Sequence, residues 1–358
     1  MPTNWRIEEK GRPMRFCFLW MLAIAVLDGQ NIKTGPAVGK PVPDFSAQDQ
    51  EGRRQTLKSV SGPKGTMLVF FRSADWCPFC KTQLVELQRN LDAIRQQGLG
   101  LAAISYDSVA VLKNFTDRQH ITFPLLSDPE SKIIRAFDIL NETVAPGTAF
   151  YGIPNPGTYV IDPQGRVVSK HFEDDYRERV SATDILIQDF GKSADAAHNV
   201  TPTKHLRLTT TASTPVARPG HRIVLSLEVE LKPKMHVYAP GVQGYIPIEW
   251  KLEESAAGKL QPFSYPASEM LHLQAIGETV PVYRGRVIIK REITFGHESA
   301  LTALINPAGE LTLKGSFRYQ ACDDRVCYVP QVVPLEWHFH FEGLDRARVP
   351  ADLQRKVQ

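Results

Sequence analysis

The eight residues Ser73-Ala74-Asp75-Trp76-Cys77-Pro78-Phe79-Cys80 constrain this chain more than any other stretch. Before them runs TMLVFF, residues 66–71, which reads as a buried parallel strand. After them Leu84, Leu87, Leu91 and Ile94 recur at helical spacing, with Gly98 where a C-cap belongs. A Cys-x-x-Cys pair between such elements sits at a helix N-terminus. Free N–H groups and the positive dipole end stabilise a thiolate there. Cys77 is therefore the expected nucleophile, and Cys80, one turn later, can attack the resulting mixed disulfide and release the partner. Pro78 suits the first helical turn, where no N–H is missed. The alternatives are a static disulfide or half a zinc site. Zinc needs two more ligands, and no nearby Cys or His pair supplies them, so neither metal nor cofactor is expected.

The remaining pattern divides the chain in two. Between about residues 36 and 190, apolar runs alternate with helical periodicities. Extended segments fall at 99–105, 122–126, 158–161 and 167–171, and helices at 109–120, 131–140 and 182–190. Asp162-Pro163-Gln164-Gly165 is a type I hairpin signal. That alternation predicts an α/β domain. Residues 191–203 (GKSADAAHNVTPT) are small, polar and aperiodic, as linkers are. From 204 to 342 the period becomes two: Ile223, Leu225, Leu227, Val229 and Leu231 alternate with Val224, Ser226, Glu228 and Glu230. Such strands, with Pro/Gly turns and almost no helical pattern, predict an all-β sandwich, followed by a tail, 343–358.

The N-terminus reads as an export signal over residues 1–29. Arg12 and Arg15 precede a 12-residue apolar run, FCFLWMLAIAVL, and small or polar residues follow it. The run is short for a membrane span, although an uncleaved anchor is the alternative. Met14 can serve as the start, and cleavage can fall after Ala25 or Gly29. Cys17 leaves with the signal, and no membrane span is expected afterwards. Cys77, Cys80, Cys322 and Cys327 remain, in a chain bound for the periplasm or another oxidising compartment. The net charge of +3 has no clustered basic run, so no nucleic-acid partner is expected.

Cys322 and Cys327 lie in Tyr319-Gln320-Ala321-Cys322-Asp323-Asp324-Arg325-Val326-Cys327-Tyr328-Val329-Pro330. Four intervening residues fit a hairpin loop that sets the sulfurs opposite each other near the surface. A short accessible bridge closes little chain entropy and suits exchange, although an ordinary hairpin disulfide is the alternative. His338 and His340 alternate with aromatics and read as a solvated strand face. Asp174-Asp175-Tyr176-Arg177 reads as a solvated turn.

Two resemblances add to this reading. PVPDF, VFFRSADWCPFC, FPLLSD, PNPGTYVIDPQGRV and FEDDYRER resemble the peroxiredoxin-like AhpC/TSA (redoxin) branch of the thioredoxin superfamily, over residues 41–190. The resemblance implies a thioredoxin-like fold, a redox-active Cys77–Cys80 pair, and Pro156 as the superfamily's cis-proline beside it, with Pro154 as rival. Trp76, by its position, either shields the pair and docks substrate or packs in the core. Two groups usual in peroxiredoxins are missing: Ala74 stands where a Thr or Ser is usual, and Pro156 where a catalytic Arg is usual. Thioredoxin's buried acid corresponds to Phe71. YQACDDRVCYVP resembles the N-terminal periplasmic domain of the thiol:disulfide interchange protein DsbD, over residues 204–341. That implies an immunoglobulin-like sandwich, a disulfide Cys322–Cys327 that passes electrons, Cys327 as the attacked sulfur, and a capping segment at Met235–Tyr238. The implied partners are thioredoxin-like or membrane electron-transfer proteins and client protein disulfides.

The expected function is thiol–disulfide exchange, with the sandwich pair relaying electrons to the first across the linker, whose ends lie roughly 20 Å apart on average. A thiol-dependent peroxidase using Cys77 is the alternative. A non-enzymatic binding module with structural disulfides is the second.

Overall fold

A computed structural model describes residues 32–191, 199–253, 257–274 and 277–356. The export segment with Cys17, and linker residues 192–198, lie outside the described residues.

The first half is built on a seven-stranded sheet, in the order Arg54–Thr56, Ser46–Asp49, Leu125–Ser127, Gly100–Ser105, Thr66–Phe70, Gly157–Ile161, Val167–Phe172. The three central strands are parallel, and the flanking ones antiparallel. Helices cover both faces, which is why Thr66–Phe70 is buried at all five positions. Met67, Val69 and Phe71 pack with Leu84, Leu87 and Ile94 on one face. Leu68 and Phe70 pack with Ile134, Phe137 and Tyr159 on the other. This is the thioredoxin-like architecture.

Two helices differ from the sequence expectation. Pro78–Arg89 and Leu91–Gln96 are separate helices, parted at Asn90. The Asn90 side chain turns back to donate to Glu86 O at 2.9 Å, a local bond that competes with helix continuation. The expected helix 131–140 is only Lys132–Ala136, because Ser131 and Asp138 adopt positive φ at its two ends.

From residue 199 the described chain is β-structure, apart from the short helix Glu298–Thr302. One sheet runs Gly258–Ser264, Arg286–Phe295, His221–Leu231, Leu206–Ala212, Asn199–Pro202; the facing one runs Val216–Ala217, Gln331–Phe341, Glu310–Tyr319, Glu249–Leu252. Leu225, Leu227 and Val229 from the first meet Leu313, Phe317 and Leu335 from the second. Trp250 stacks on Trp337 with centroids 5.4 Å apart. A third small sheet joins His236–Tyr238 to Glu278–Arg284 and Ala321–Cys322. No helix among the described residues is long and apolar enough to cross a membrane.

The halves are joined by backbone pairing. Arg179–Val180 runs parallel to His221–Arg222, beyond the point where Leu206–Ala212 stops pairing with that strand. Arg179 N–H donates to Gly220 O at 2.8 Å. Gly220 has φ +75°, and a Cβ there would lie 2.0 Å from Arg177 O, so only glycine lets the two chains come this close. Around this seam, buried Glu86 accepts from Ala182 N–H at 3.1 Å, and Arg222 reaches Glu173 at 2.7 Å.

Asp184 is the least settled group at the seam. Its Oδ1 accepts from Val224 N–H at 3.1 Å, while Oδ2 is buried without a partner. Burial pushes its carboxyl up to about 8, against the opposing bonds from Ser213 and Val224. The unfolded group titrates near 3.8. Between those values the folded state holds a proton that the unfolded state has released, so this group makes stability fall as pH rises from about 4 to about 8. Asp184→Asn keeps the Val224 bond and removes the ionisation. It is expected to flatten that fall and to stabilise the protein at pH 8 by roughly 1–3 kcal/mol, read as a higher urea midpoint. An unchanged pH profile would refute this assignment.

Candidate active site

Cys77 is the N-cap of Pro78–Arg89 and Pro78 its first residue. The two cysteines are disulfide-bonded, with Cα atoms 5.3 Å apart. Cys77 Sγ accepts from Cys80 N–H at 3.3 Å, so the helix start presents a donor to the first sulfur. Both residues are buried, at 1% and 0% exposure. They share the apolar cluster with Ala74, Phe71 and Leu84.

The loop before the pair is fixed by Asp107, a group the sequence reading missed. Its carboxylate accepts from Ala74 N–H at 2.7 Å, Ser73 Oγ at 2.9 Å and Ser105 Oγ at 2.9 Å. Burial pushes this carboxyl up to about 6, with the three bonds opposing. Ala74 N–H is thereby committed to Asp107 and presents nothing to a substrate. The Trp76 indole N–H donates to Tyr106 Oη at 2.8 Å. Its ring meets Phe150 edge-on at 4.8 Å and carries the Arg72 guanidinium at 4.8 Å, so both are packed against it.

Pro156 is buried at the start of Gly157–Ile161, the strand paired with Thr66–Phe70. The cis expectation is corrected: no described peptide bond is cis, at Pro156 or at Pro154.

Two arginines surround the pair. Arg72 N–H donates to Cys80 Sγ at 3.4 Å. Its guanidinium lies 4.0 Å from the Tyr176 ring centroid, and its Nε is buried without a partner. Arg179, 4% exposed, places Nη2 3.8 Å from Cys80 Sγ. The expected solvated turn 174–177 is present, with Asp174 and Tyr176 exposed; what the reading missed is that the Tyr176 ring lies against Arg72 and that Arg179, two residues beyond the turn, enters the core. FEDDYRER carried both residues, but charge pattern alone does not distinguish a buried arginine from a solvated one.

The C-terminal tail also reaches this site. Arg348 forms a two-bond pair with Asp75 at 2.7 and 2.6 Å, and Val349 N–H donates to the same carboxylate at 3.0 Å. Buried Lys81 donates to Ala347 O at 2.6 Å, and Val349 joins the cysteine cluster.

At the second pair, Cys322 and Cys327 are disulfide-bonded across an isolated bridge, with Cα atoms 4.0 Å apart. Cys322 is 1% exposed, whereas Cys327 is exposed. Asp323 Oδ1 accepts from Arg325 and Val326 N–H and shapes the loop. Tyr238 Oη lies 3.6 Å from Cys327 Sγ and 3.7 Å from Cys322 Sγ. The segment expected as a cap is in part a strand: His236 pairs with Cys322 and Val237 with Ala321. Val326 and Val329 are 53% and 83% exposed beside it. His338 and His340 are exposed on their strand, with His338 Nδ1 3.0 Å from Thr312 Oγ1.

The two pairs lie at opposite ends of the sandwich. Arg179, at Cys80, pairs with His221, which opens the strand His221–Leu231. At the far end, Leu231 N–H donates to Gly285 O, next to Arg284, which pairs with His236, which pairs with Cys322. The ten steps from His221 to Leu231, at about 3.3 Å each, separate the ends by about 33 Å. At that separation the two pairs are not in contact, whereas the relay expected from the linker needs them to meet.

The tail contacts are testable. Arg348→Ala removes two charge-assisted bonds over the motif. It is expected to speed reduction of Cys77–Cys80 by dithiothreitol severalfold and leave Cys322–Cys327 unchanged, as followed by mass-spectrometric thiol mapping. Equal rates for both pairs in variant and parent would show that the tail does not limit access.

Comparison with known proteins places both halves. The AhpC/TSA family matches residues 38–170, and the family of thiol:disulfide interchange protein DsbD, N-terminal, matches residues 205–334. A putative peroxiredoxin of Mycobacterium tuberculosis is 32% identical over 130 residues, 36% of this chain and 81% of that protein. Peroxiredoxin Bcp of Escherichia coli is 29% identical over 139 residues, covering 39% and 86%. Alkyl hydroperoxide reductase E of Mycobacterium bovis is 33% identical over 130 residues, covering 36% and 80%. By these matches the chain belongs to the AhpC/TSA family, the peroxiredoxins, with a DsbD N-terminal domain following its peroxiredoxin domain.

Proposed function

We propose that this protein is a thiol-dependent peroxidase in which Cys77 attacks the peroxide and Cys80 closes the disulfide. The kinship to peroxiredoxins supports this reading over general dithiol exchange. The observation that carries it is the pair's setting: Cys77 at a helix N-terminus, where its Sγ accepts from Cys80 N–H, with the buried Arg179 guanidinium beside Cys80. In the first step the Cys77 thiolate attacks the hydroperoxide, whose O–O bond breaks. Cys77 becomes a sulfenic acid, and the leaving alkoxide takes a proton to depart as alcohol. Cys80 then attacks that sulfur, forming the disulfide and releasing water. A thiol donor must reduce the disulfide again. Sulfurs this buried need local opening to meet either reactant.

A second reading, dithiol exchange with protein partners, is favoured by the second domain. Its Cys327 is exposed and flanked by exposed valines, which suits docking to a thioredoxin-like or membrane electron-transfer protein. The readings combine if such partners supply electrons to the peroxidase cycle. Export to the periplasm or another oxidising compartment belongs to this proposal, as do the site roles of Trp76, Pro156, Cys322 and Cys327.

Stopped-flow oxidation by hydrogen peroxide and an organic hydroperoxide tests the main reading. Cys77→Ser is expected to abolish consumption. Cys80→Ser is expected to oxidise once, to a sulfenic acid trapped by dimedone, and not to turn over. Because Ala74 supplies no hydroxyl, and one lost donor costs about 10²-fold, wild-type oxidation should be slower than in peroxiredoxins that carry it. Insulin-disulfide reduction without peroxide consumption would replace the peroxidase reading with the exchange reading.

A further inference from the structure

Arg179 is a buried cation without a counterion. Its Nε donates to Gln83 Oε1 at 3.0 Å, and Nη1 donates to the carbonyls of Glu178, at 2.6 Å, and Tyr176. All these acceptors are neutral. Among the described residues no carboxylate lies within ion-pair distance of it, although Asp175 and Glu173 act on it from further away. Nη2 alone is left for Cys80 Sγ, at 3.8 Å. Arg72, a second cation without an ion pair, approaches the same sulfur through its backbone N–H and repels Arg179. From the sandwich, buried His221 pairs with Arg179 along the backbone and is held neutral by burial, with Arg218 and Arg179 adding to that. Burying an unpaired charge costs several kcal/mol. In the oxidised protein only neutral acceptors and the more distant Asp175 and Glu173 offset that cost, because a disulfide sulfur is uncharged.

We infer that Arg179 is a catalytic residue that pairs with Cys80 as a thiolate whenever the Cys77–Cys80 bond is open. Its effect falls on both halves of the cycle. On reduction, an incoming donor thiolate attacks Cys77 Sγ. The new bond joins donor sulfur to Cys77, the Cys77–Cys80 bond breaks, and its electron pair stays on Cys80 beside the guanidinium. The donor's second thiolate then attacks the donor sulfur, forming the donor disulfide and releasing Cys77 as thiolate. On oxidation, the Cys80 thiolate attacks the Cys77 sulfenic acid, and hydroxide leaves as water after taking a proton. A stabilised leaving group speeds the first process, and a larger thiolate fraction the second. The reduced state gains the ion pair that the oxidised state lacks, so the pair is made more oxidising. Desolvation lowers the Arg179 pKa to about 9, in keeping with a charge that lacks an anion. The assignment deepens the proposed peroxidase reading and rests on it only for the oxidative half.

The experiment uses the full chain. In Cys77→Ser, the Cys80 thiolate is titrated by absorbance at 240 nm, with Cys322–Cys327 kept oxidised. A Cys80 pKa at least one unit below the ordinary 8.5 is expected; a value at or above 8.5 overturns the inference without any change at Arg179. In the same background Arg179→Gln is expected to cut the thiolate fraction at pH 7 at least tenfold, and Arg179→Lys less. With both cysteines present, Arg179→Gln should shift the glutathione equilibrium of Cys77–Cys80 at least tenfold towards the disulfide, about 30 mV. The Cys322–Cys327 equilibrium should not move, which separates a local charge effect from loosened folding. If Arg179→Gln leaves titration and equilibrium unchanged, the inference fails, whatever the peroxide assay gives. If peroxide is not consumed but the titration behaves as expected, the peroxidase reading fails and the role of Arg179 stands.

Discussion

The site depends on a short parallel pairing, Arg179–Val180 against His221–Arg222. That seam fixes where residues 173–181 run, and therefore where Tyr176, Arg179 and the helix start at Ser181 are held. One glycine makes it possible, since Gly220 has no Cβ to strike Arg177 O. Without the second domain the segment carrying Arg179 would lose its backbone partner. The β-sandwich is thus part of the scaffold of the Cys77–Cys80 pair as well as the carrier of the second disulfide.

The seam also changes how the two pairs relate. Of the 13 residues 191–203 read as a linker, Asn199–Pro202 is a strand of the sandwich, and a linker gives reach only when the domains it joins are free. Here they are held by backbone hydrogen bonds, buried carboxylates and the Arg222–Glu173 pair, and the disulfides point to opposite ends. The arrangement places one buried pair at the seam and one exposed sulfur at the far tip. The tail adds a further cover over Asp75 and the cysteine cluster.

The charges at the pair differ from those usual for the motif. Ala74 and Pro156 occupy positions where peroxiredoxins usually carry a hydroxyl and a guanidinium. In this chain a guanidinium arrives from elsewhere, that of Arg179 from the seam, and it stands at Cys80; the Arg72 guanidinium, directly after the strand, lies on the Trp76 and Tyr176 rings. A cation 3.8 Å from sulfur in a dry site acts far more strongly than one in water.

The sequence by itself determined the architecture of both halves and the place of Cys77 at a helix start. Those follow from local periodicity: all-apolar runs make central parallel strands, alternating ones make sandwich strands, and Pro78 fixes the first turn. Local chemistry also set the hairpin at 162–165. Sequence could not determine which charges are buried. Asp107, Glu86, Asp184 and Arg179 look like any surface residue until segments far apart in the chain converge on them. The break at Asn90 and the strand at His236–Tyr238 belong to the same class. Each is decided by a neighbour distant in sequence or by one side chain's bond to the backbone. The separation of the disulfides was decided by tertiary structure alone, because only the pairing of 179–180 with 221–222 turns two tethered domains into one body with two ends.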